Sequence, residues 1–440
     1  MRTAAVAKVD MRTLLSMLLA TAAACHPASP SPIMPDQPDA GTPGVDGATG
    51  CPAGLAGAPC VLALYDRTVA DCGLLGQLRG ELDARAGLGP LWADGRALVR
   101  TAAAVAGGWN AWSTTALVGA PVCGSDLVVA VGPVPTGRWP YKLVTGATWS
   151  LDATNPAFAY DDFAGNADGK NSVLDTPDSG LGHLVDFGQE CSTALGDCRE
   201  VTAYLPPGYD APAAGARTYP VLFMHDGQNL WDDHTCCFGH TGWEINVTLD
   251  AEIAAGKVAP IIVIGAASTV ARNNQYGLDA TATEAFLVFQ VEQLQPHALA
   301  HVRGDGQRLR IAGSSLGGLM AMELALRYPA IYAGAASLSG AFWPGMDTHT
   351  ALRDQLPGYG KQAVAVYLDS GGDPADNSDG AADTIEVRDM MVGEGWQRTD
   401  SPACTPGPNA VCYHVELGAT HDELAWKARA WRFLEFLFPG

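Results

Sequence analysis

Positive charge is scarce in this 440-residue chain: 26 Lys and Arg face 47 Asp and Glu, for a net charge of -21. A polyanion partner needs a basic surface to displace counterions, so nucleic-acid binding is excluded as a function class. Cys-x-x-Cys repeats are also missing. That argues against a structural zinc site, and no metal or other cofactor is expected. No apolar run is long enough to cross a bilayer as a helix of the mature protein, which takes roughly 18 residues or more. No internal repeat of fixed period stands out. What remains is an ordinary globular composition, 48% apolar and 17% charged, in a chain long enough for two domains with cores of their own.

The first residues point to export. "MRTLLSMLLATAAAC", Met11 to Cys25, carries a basic start, a short apolar run and small residues. It resembles a bacterial lipoprotein signal covering residues 1–25, with Cys25 as the lipidated N-terminus. Such a chain would be periplasmic or anchored to the outer membrane, touching the membrane only through that lipid. An ordinary secretory signal cleaved nearby is the alternative. Eleven cysteines fit an oxidising compartment. Setting Cys25 aside leaves ten, several of them close in sequence: Cys51 with Cys60, Cys191 with Cys198, Cys236 with Cys237, Cys404 with Cys412. Cys72 and Cys123 are left as a fifth pair, and the adjacent Cys236 and Cys237 could instead bond elsewhere.

Residues 26–50 are rich in Pro, Gly, Asp and Ser and read as a tether that cannot bury enough apolar surface to fold. From 51 to 180 short β-like runs dominate ("LVVAVG", "YKLVTGATWSLD"), with helical periodicity confined to a stretch near 76–106. From 185 to 440 the texture changes. Nearly continuous apolar runs ("PVLFMHDG", "APIIVIGAAS", "RLRIAGSS", "YAGAASLSG", "AVAVYLDSGG") alternate with helical segments. That is the pattern of a mostly parallel sheet covered by helices on both faces, an α/β fold.

One stretch of that second part carries chemistry. In "LRIAGSSLGGLMAMELALRYP", centring on Ser315 gives Gly313-Ser314-Ser315-Leu316-Gly317, a G-x-S-x-G between a strand and a helix. Centring on Ser314 breaks the pattern. A strand that turns at once into a helix strains the central residue and crowds the positions two residues away, where glycine removes the side chain. Ser315 is therefore the candidate nucleophile, and the Leu316 N–H a candidate oxyanion donor at the helix start. A serine needs a base, and this arrangement takes acid and base later in the chain, in the order Ser, Asp or Glu, His. "YLDSGGDPADN" ends an apolar run and makes Asp373 the expected acid, with Asp369 and Asp376 as rivals. "VELGATHDELAW" makes His421 the expected base, in preference to His414 within a strand-like run. "MHDGQNLWDD" follows an early strand, so Gly227 and Gln228 are expected to lend further N–H groups to the oxyanion. His225 in that run is read as a loop-positioning residue, and Asp232, Asp233 and His234 as a solvated face.

From about 198 to 438 these residues resemble the esterase family of α/β hydrolases that includes enterochelin esterase, esterase D and feruloyl-esterase-like enzymes. The resemblance rests on "VTAYLPPGYD", "YPVLFMHDGQNLWDD", "IAGSSLGGLMAMELALRYPAIYAGAASLSGAFW" and "THDELAW". It implies hydrolysis of carboxylic esters by a serine triad without metal, with a small-molecule or glycan-linked ester as substrate. The region 51–180 is similar to early-set, glycogen-binding-type β-sandwich modules, through "VAGGWNAWS" and "GRWPYKLVTGATWSLDATNPAFAYDDFAGNADGKNSVL". Trp109, Trp112 and Trp149 would stack on sugar rings in such a module, although core or interface packing is the expected role. Asn166, Asp168 and Asn171 lack the spacing of a calcium loop. The other readings are acyl transfer of the mycolyltransferase type, deacylation of an acetylated or feruloylated polysaccharide, and a non-catalytic glycan-binding surface protein.

Overall fold

The computed structural model describes residues 51–52, 55–161, 169–177, 179–211, 215, 217–231, 236–237, 242–342, 352–400 and 404–440. The signal and tether readings, Cys25, Asn166, Asp168 and the run 232–234 lie outside these residues. The spine of the molecule is a 14-stranded sheet. From one edge its strands run Gln397–Asp400, Ala410–Val415, Ala365–Ser370, Tyr332–Leu338, Leu309–Ser314, Val221–Met224 and Ile262–Ala266. All of these pair in parallel. Asp197–Leu205 and His183–Ser192 then add antiparallel strands. The seven-stranded parallel part, flanked by helices, is what the apolar runs predict, while the sheet as a whole is mixed because its other seven strands pair antiparallel.

Burial explains why these runs became strands. Val221–Met224 is buried at every position, and Leu309–Ser314 at all but one. Side chains on both faces meet helices, so an alternating pattern is not required. On one face the helix Leu316–Arg327 packs down on the sheet with residues 316–326 all buried. On the other the closing helix Glu423–Leu437 covers it with Trp426, Ala430, Phe433 and Leu437.

The first part of the described chain holds more helix than expected. Gly57–Ala70 and Leu75–Asp83 are α-helices that bury Val61, Leu64, Leu78 and Leu82 in a small core. The helical reading of 76–106 is correct only at its start, because Leu91–Ala93, Arg96–Val99 and Ala104–Gly107 are strands. A four-stranded sheet here faces the far end of the large sheet. Ala97, Val99 and Ala130 share a core with Val105, Tyr141 and Leu174. Hydrogen bonding does not break near residue 180: His183–Ser192 pairs with Asp197–Leu205 on one side and Ala157–Tyr160 on the other. Lys170 reinforces the seam by reaching Glu200 at 2.5 Å and Asp186 at 3.5 Å.

The ten described cysteines form five disulfides: Cys51–Cys60, Cys72–Cys123, Cys191–Cys198, Cys236–Cys237 and Cys404–Cys412. Four link cysteines nine residues apart or fewer. Cys72–Cys123 closes the longest loop, with a sequence separation of 51, and ties the two-helix unit to its sheet.

Candidate active site

The sheet register sets the site. Ser314 pairs with Leu338, Leu338 with Asp369, and Asp369 with His414, so the carboxyl ends of four adjacent strands finish in one row. Ser315 is the first residue past that row on its strand, with φ 55° and ψ -125°. A non-glycine residue in this region is strained, and the strain is held by the packing around it. A Cβ on Gly313 would lie 2.6 Å from the backbone of Gly317, and one on Gly317 would lie 3.1 Å from His225 and Asp226. A side chain at Gly313 would therefore displace backbone, and one at Gly317 would crowd the neighbouring loop. Ser314, by contrast, is a buried strand residue.

His421 sits one residue before the cap of the closing helix, where Asp422 accepts the Ala425 N–H at 2.9 Å. Its loop is laced to the end of the neighbouring strand: Gly372 N–H donates to the Ala419 carbonyl at 3.0 Å, and Glu416 N–H to the Ser370 carbonyl at 2.9 Å. The ring packs edge-on against Trp426. Its Nδ1 lies 2.5 Å from Oδ1 of Asp379.

Asp379, then, and not Asp373, is the carboxylate on His421. Asp373 is exposed and accepts the Ala375 N–H at 2.8 Å. Asp376 is also exposed and accepts the Ser378 N–H. Asp369 is fully buried, and its carboxylate pairs with Arg429 at 3.1 Å. Burial raises the Asp369 pKa, the Arg429 charge working against that rise. The loop after the strand reverses through left-handed residues at Gly372, Asn377, Asp379 and Gly380 and brings position 379 back over the sheet. Only the Asp-Gly pair just ahead of a helix-like run hinted at this in the sequence.

Asp379 is itself held by a residue the sequence reading missed. Ser339 donates its hydroxyl to Asp379 Oδ2 at 2.6 Å and accepts from Trp426 Nε1 at 3.0 Å and Arg429 Nη2 at 2.8 Å. Gly371 N–H donates to the same carboxylate oxygen. Ser339 adjoins Leu338, whose carbonyl accepts the Ser315 N–H at 3.0 Å. A short chain of contacts therefore runs from the strained serine, through Ser339 and Asp379, to the imidazole. His414 lies in its strand with Nε2 3.0 Å from Glu416 and takes no part.

The early loop completes one side. His225 N–H donates to the Ala312 carbonyl at 3.0 Å. Asp226 then turns with φ 59°, and Gly227–Asn229 forms a short 3-10 turn. A Cβ on Gly227 would fall 2.6–2.7 Å from the backbone of Gly265 and Ala266, so this loop lies flat against the next strand. The Gln228 side chain exchanges hydrogen bonds of 2.8 Å with Ser268. With that side chain occupied, the loop's candidate donors are its backbone N–H groups. The first N–H groups of such a turn have no partner within it, nor does the Leu316 N–H at the head of its helix. The His225 ring holds its place by packing and not through a hydrogen bond at Nε2. The imidazole is buried against Tyr276 and Phe286, and its Nε2 has no hydrogen-bond partner among the described residues. Burial lowers its pKa to about 4, so it is neutral at ordinary pH.

The tryptophans of the first part separate. Trp109 packs against Tyr141 in the core, while Trp112 and Trp149 lie on the surface with ring centroids 6.3 Å apart. Asn171 is buried and donates to Asp161.

A family model described as "Putative esterase" matches residues 192–432. The chain is 22% identical over 261 residues to the uncharacterized protein YbbA of Bacillus subtilis, covering 54% of this chain and 92% of that one. It is 29% identical over 177 residues to the iron(III) enterobactin esterase of Dickeya dadantii, covering 39% of this chain and 36% of that one. This chain thus spans only about a third of that second relative. Among solved structures, a ferulic acid esterase is similar at 19% identity and a TM-score of 0.44, covering 59% of this chain and 98% of the other.

Proposed function

The chain belongs to the "Putative esterase" family, and from that premise we propose that it is an exported serine hydrolase that cleaves carboxylic esters through an acyl-enzyme. The observation that carries this reading is Ser315, strained at the head of its helix and linked through Ser339 to the Asp379–His421 pair. The Ser315 hydroxyl attacks the ester carbonyl while His421 Nε2 takes its proton. Asp379 accepts from His421 Nδ1, which fixes the tautomer and offsets the charge of the imidazolium. The carbonyl oxygen, now negative, takes hydrogen bonds from the Leu316 N–H and from Gly227 or Gln228. The C–O bond breaks, the alcohol leaves with the proton from His421, and water repeats the sequence to release the acid.

Five disulfides support export, since thiols persist reduced in the cytosol. Anchoring through Cys25 completes the localisation. The substrates suggested by the named relatives are catecholate esters and feruloyl esters. The test is hydrolysis of p-nitrophenyl acetate by the wild-type chain and by Ser315→Ala, followed by a panel of catecholate trilactone, feruloylated sugar and acetylated sugar. Equal turnover by the two proteins sinks the proposal.

A further inference from the structure

The early loop carries a carboxylate in an unfavourable place. Asp226 is buried, left-handed at φ 59°, and its Oδ2 lies 3.1 Å from where a Cβ on Gly317 would sit. Gly317 is the second residue of the serine's helix, directly after Leu316. A negative group there stands beside the positive end of the helix, where the oxyanion is to be received. Left alone it would oppose the reaction. It would also have no reason to keep a strained turn.

Arg272 answers both points. It comes from the loop that follows Ile262–Ala266, and its Nε and Nη2 donate to Asp226 Oδ1 and Oδ2 at 2.6 and 2.8 Å. The paired geometry fixes the carboxylate plane as well as its charge. The guanidinium lies over the Tyr276 ring, 5.1 Å from its centroid, which fixes the arginine in turn. Burial works against ionisation of Asp226, but the charge and hydrogen bonds of Arg272 outweigh it and hold the carboxyl below its usual range.

We propose, on the basis of the esterase reading above, that Arg272 is a positioning residue for the oxyanion-binding loop. Its bidentate hold on Asp226 keeps the turn left-handed and so sets the backbone of Gly227 and Gln228, the candidate oxyanion donors, and it neutralises a carboxylate beside the growing oxyanion. Ordinary substrate binding does not need this pairing, whereas the tetrahedral intermediate does.

The experiment measures kcat and KM for p-nitrophenyl acetate, the inhibition constant of phenylboronic acid, and thermal stability. In Arg272→Gln, kcat falls at least about 100-fold, as for the loss of an oxyanion donor. KM stays within about threefold, and the boronate weakens in parallel with kcat. Adding Asp226→Asn to Arg272→Gln recovers about tenfold in kcat, because the unpaired carboxylate is gone. Arg272→Lys, which restores charge without the fork, falls between wild type and Arg272→Gln. Should Arg272→Gln not fold, Arg272→Lys decides alone: a fall of about tenfold in kcat at unchanged KM supports the assignment, and wild-type kcat overturns it. The assignment is also overturned by a folded Arg272→Gln with wild-type kcat, by a loss confined to KM, or by a double variant no better than the single one. A wild-type chain that neither turns over the ester nor reacts with a fluorophosphonate at Ser315 would instead remove the esterase reading itself.

Discussion

His421 Nδ1 and Asp379 Oδ1 stand 2.5 Å apart, although 42 residues of chain separate them. Two structural features make this meeting. The 371–380 loop folds back over the sheet, and the closing helix begins directly after His421. Neither feature is a property of the aspartate or the histidine alone.

The pairing predicts a contrast between two aspartates close in sequence. Asp379→Asn should lower kcat by about 10³- to 10⁴-fold, because an amide no longer selects the tautomer that accepts the serine proton. Asp373→Asn should leave kcat within about twofold, because its carboxylate only caps an exposed turn. Steady-state kinetics on both variants checks this, and the reverse order of effects would move the acid back to position 373.

Ser315→Ala should lower kcat by at least about 10⁴-fold and abolish labelling by a fluorophosphonate. Thermal stability should be unchanged or slightly higher, since alanine has no hydroxyl to hold in that bend. Labelling that persists in this variant would place the nucleophile elsewhere.

Ser339 should behave as part of the acid. Ser339→Ala leaves Asp379 Oδ2 with fewer donors and leaves the buried Trp426 and Arg429 donors short of an acceptor. Losses of about 1–3 kcal/mol in stability are expected from such unsatisfied groups, together with a lowered kcat. Chemical denaturation and kinetics on one preparation would show both.

Gly313→Ala brings a methyl group to 2.6 Å from the backbone of Gly317. Since backbone cannot swing aside as a flexible side chain can, a cost of about 1–3 kcal/mol is expected, with activity reduced further by displacement of the bend. Urea unfolding midpoints provide the measurement.

His225 predicts a pH dependence of stability. Burial lowers its pKa from 6.5 to about 4. Between those values the unfolded chain binds a proton that the folded chain refuses. Its contribution is therefore complete above pH 6.5 and is lost as pH falls toward 4, by about 3 kcal/mol at full extent. Burial raises the pKa of Glu423 and of Asp369, which acts in the opposite sense over the acid range. The difference between wild type and His225→Gln, measured by denaturation at pH 7.5 and pH 4.5, isolates the histidine. A difference that does not change with pH would refute the assignment.

Much of the site was legible in the residues themselves. Ser315 could be singled out as the candidate because its constraint is local: a strand, a bend and a helix within a few residues leave no room for a side chain at Gly313. The parallel sheet could be named because strands buried on both faces must be apolar throughout. The loop that holds Gly227 and Gln228 could be placed beside the serine's helix because a loop after an early parallel strand emerges at the same edge of the sheet. Four of the five disulfide pairs followed from proximity along the chain, and Cys72–Cys123 was the pair left over. The acid, its support by Ser339, the buried state of His225 and the pairing of Arg272 with Asp226 were not legible. Each depends on contacts between segments far apart in sequence, and any of several carboxylates in an Asp-rich loop satisfies the local chemistry equally well. Tertiary folding set Asp379 against His421 because left-handed turns and the backbone of Gly371 direct that one carboxylate inward, while Asp373 and Asp376 remain exposed.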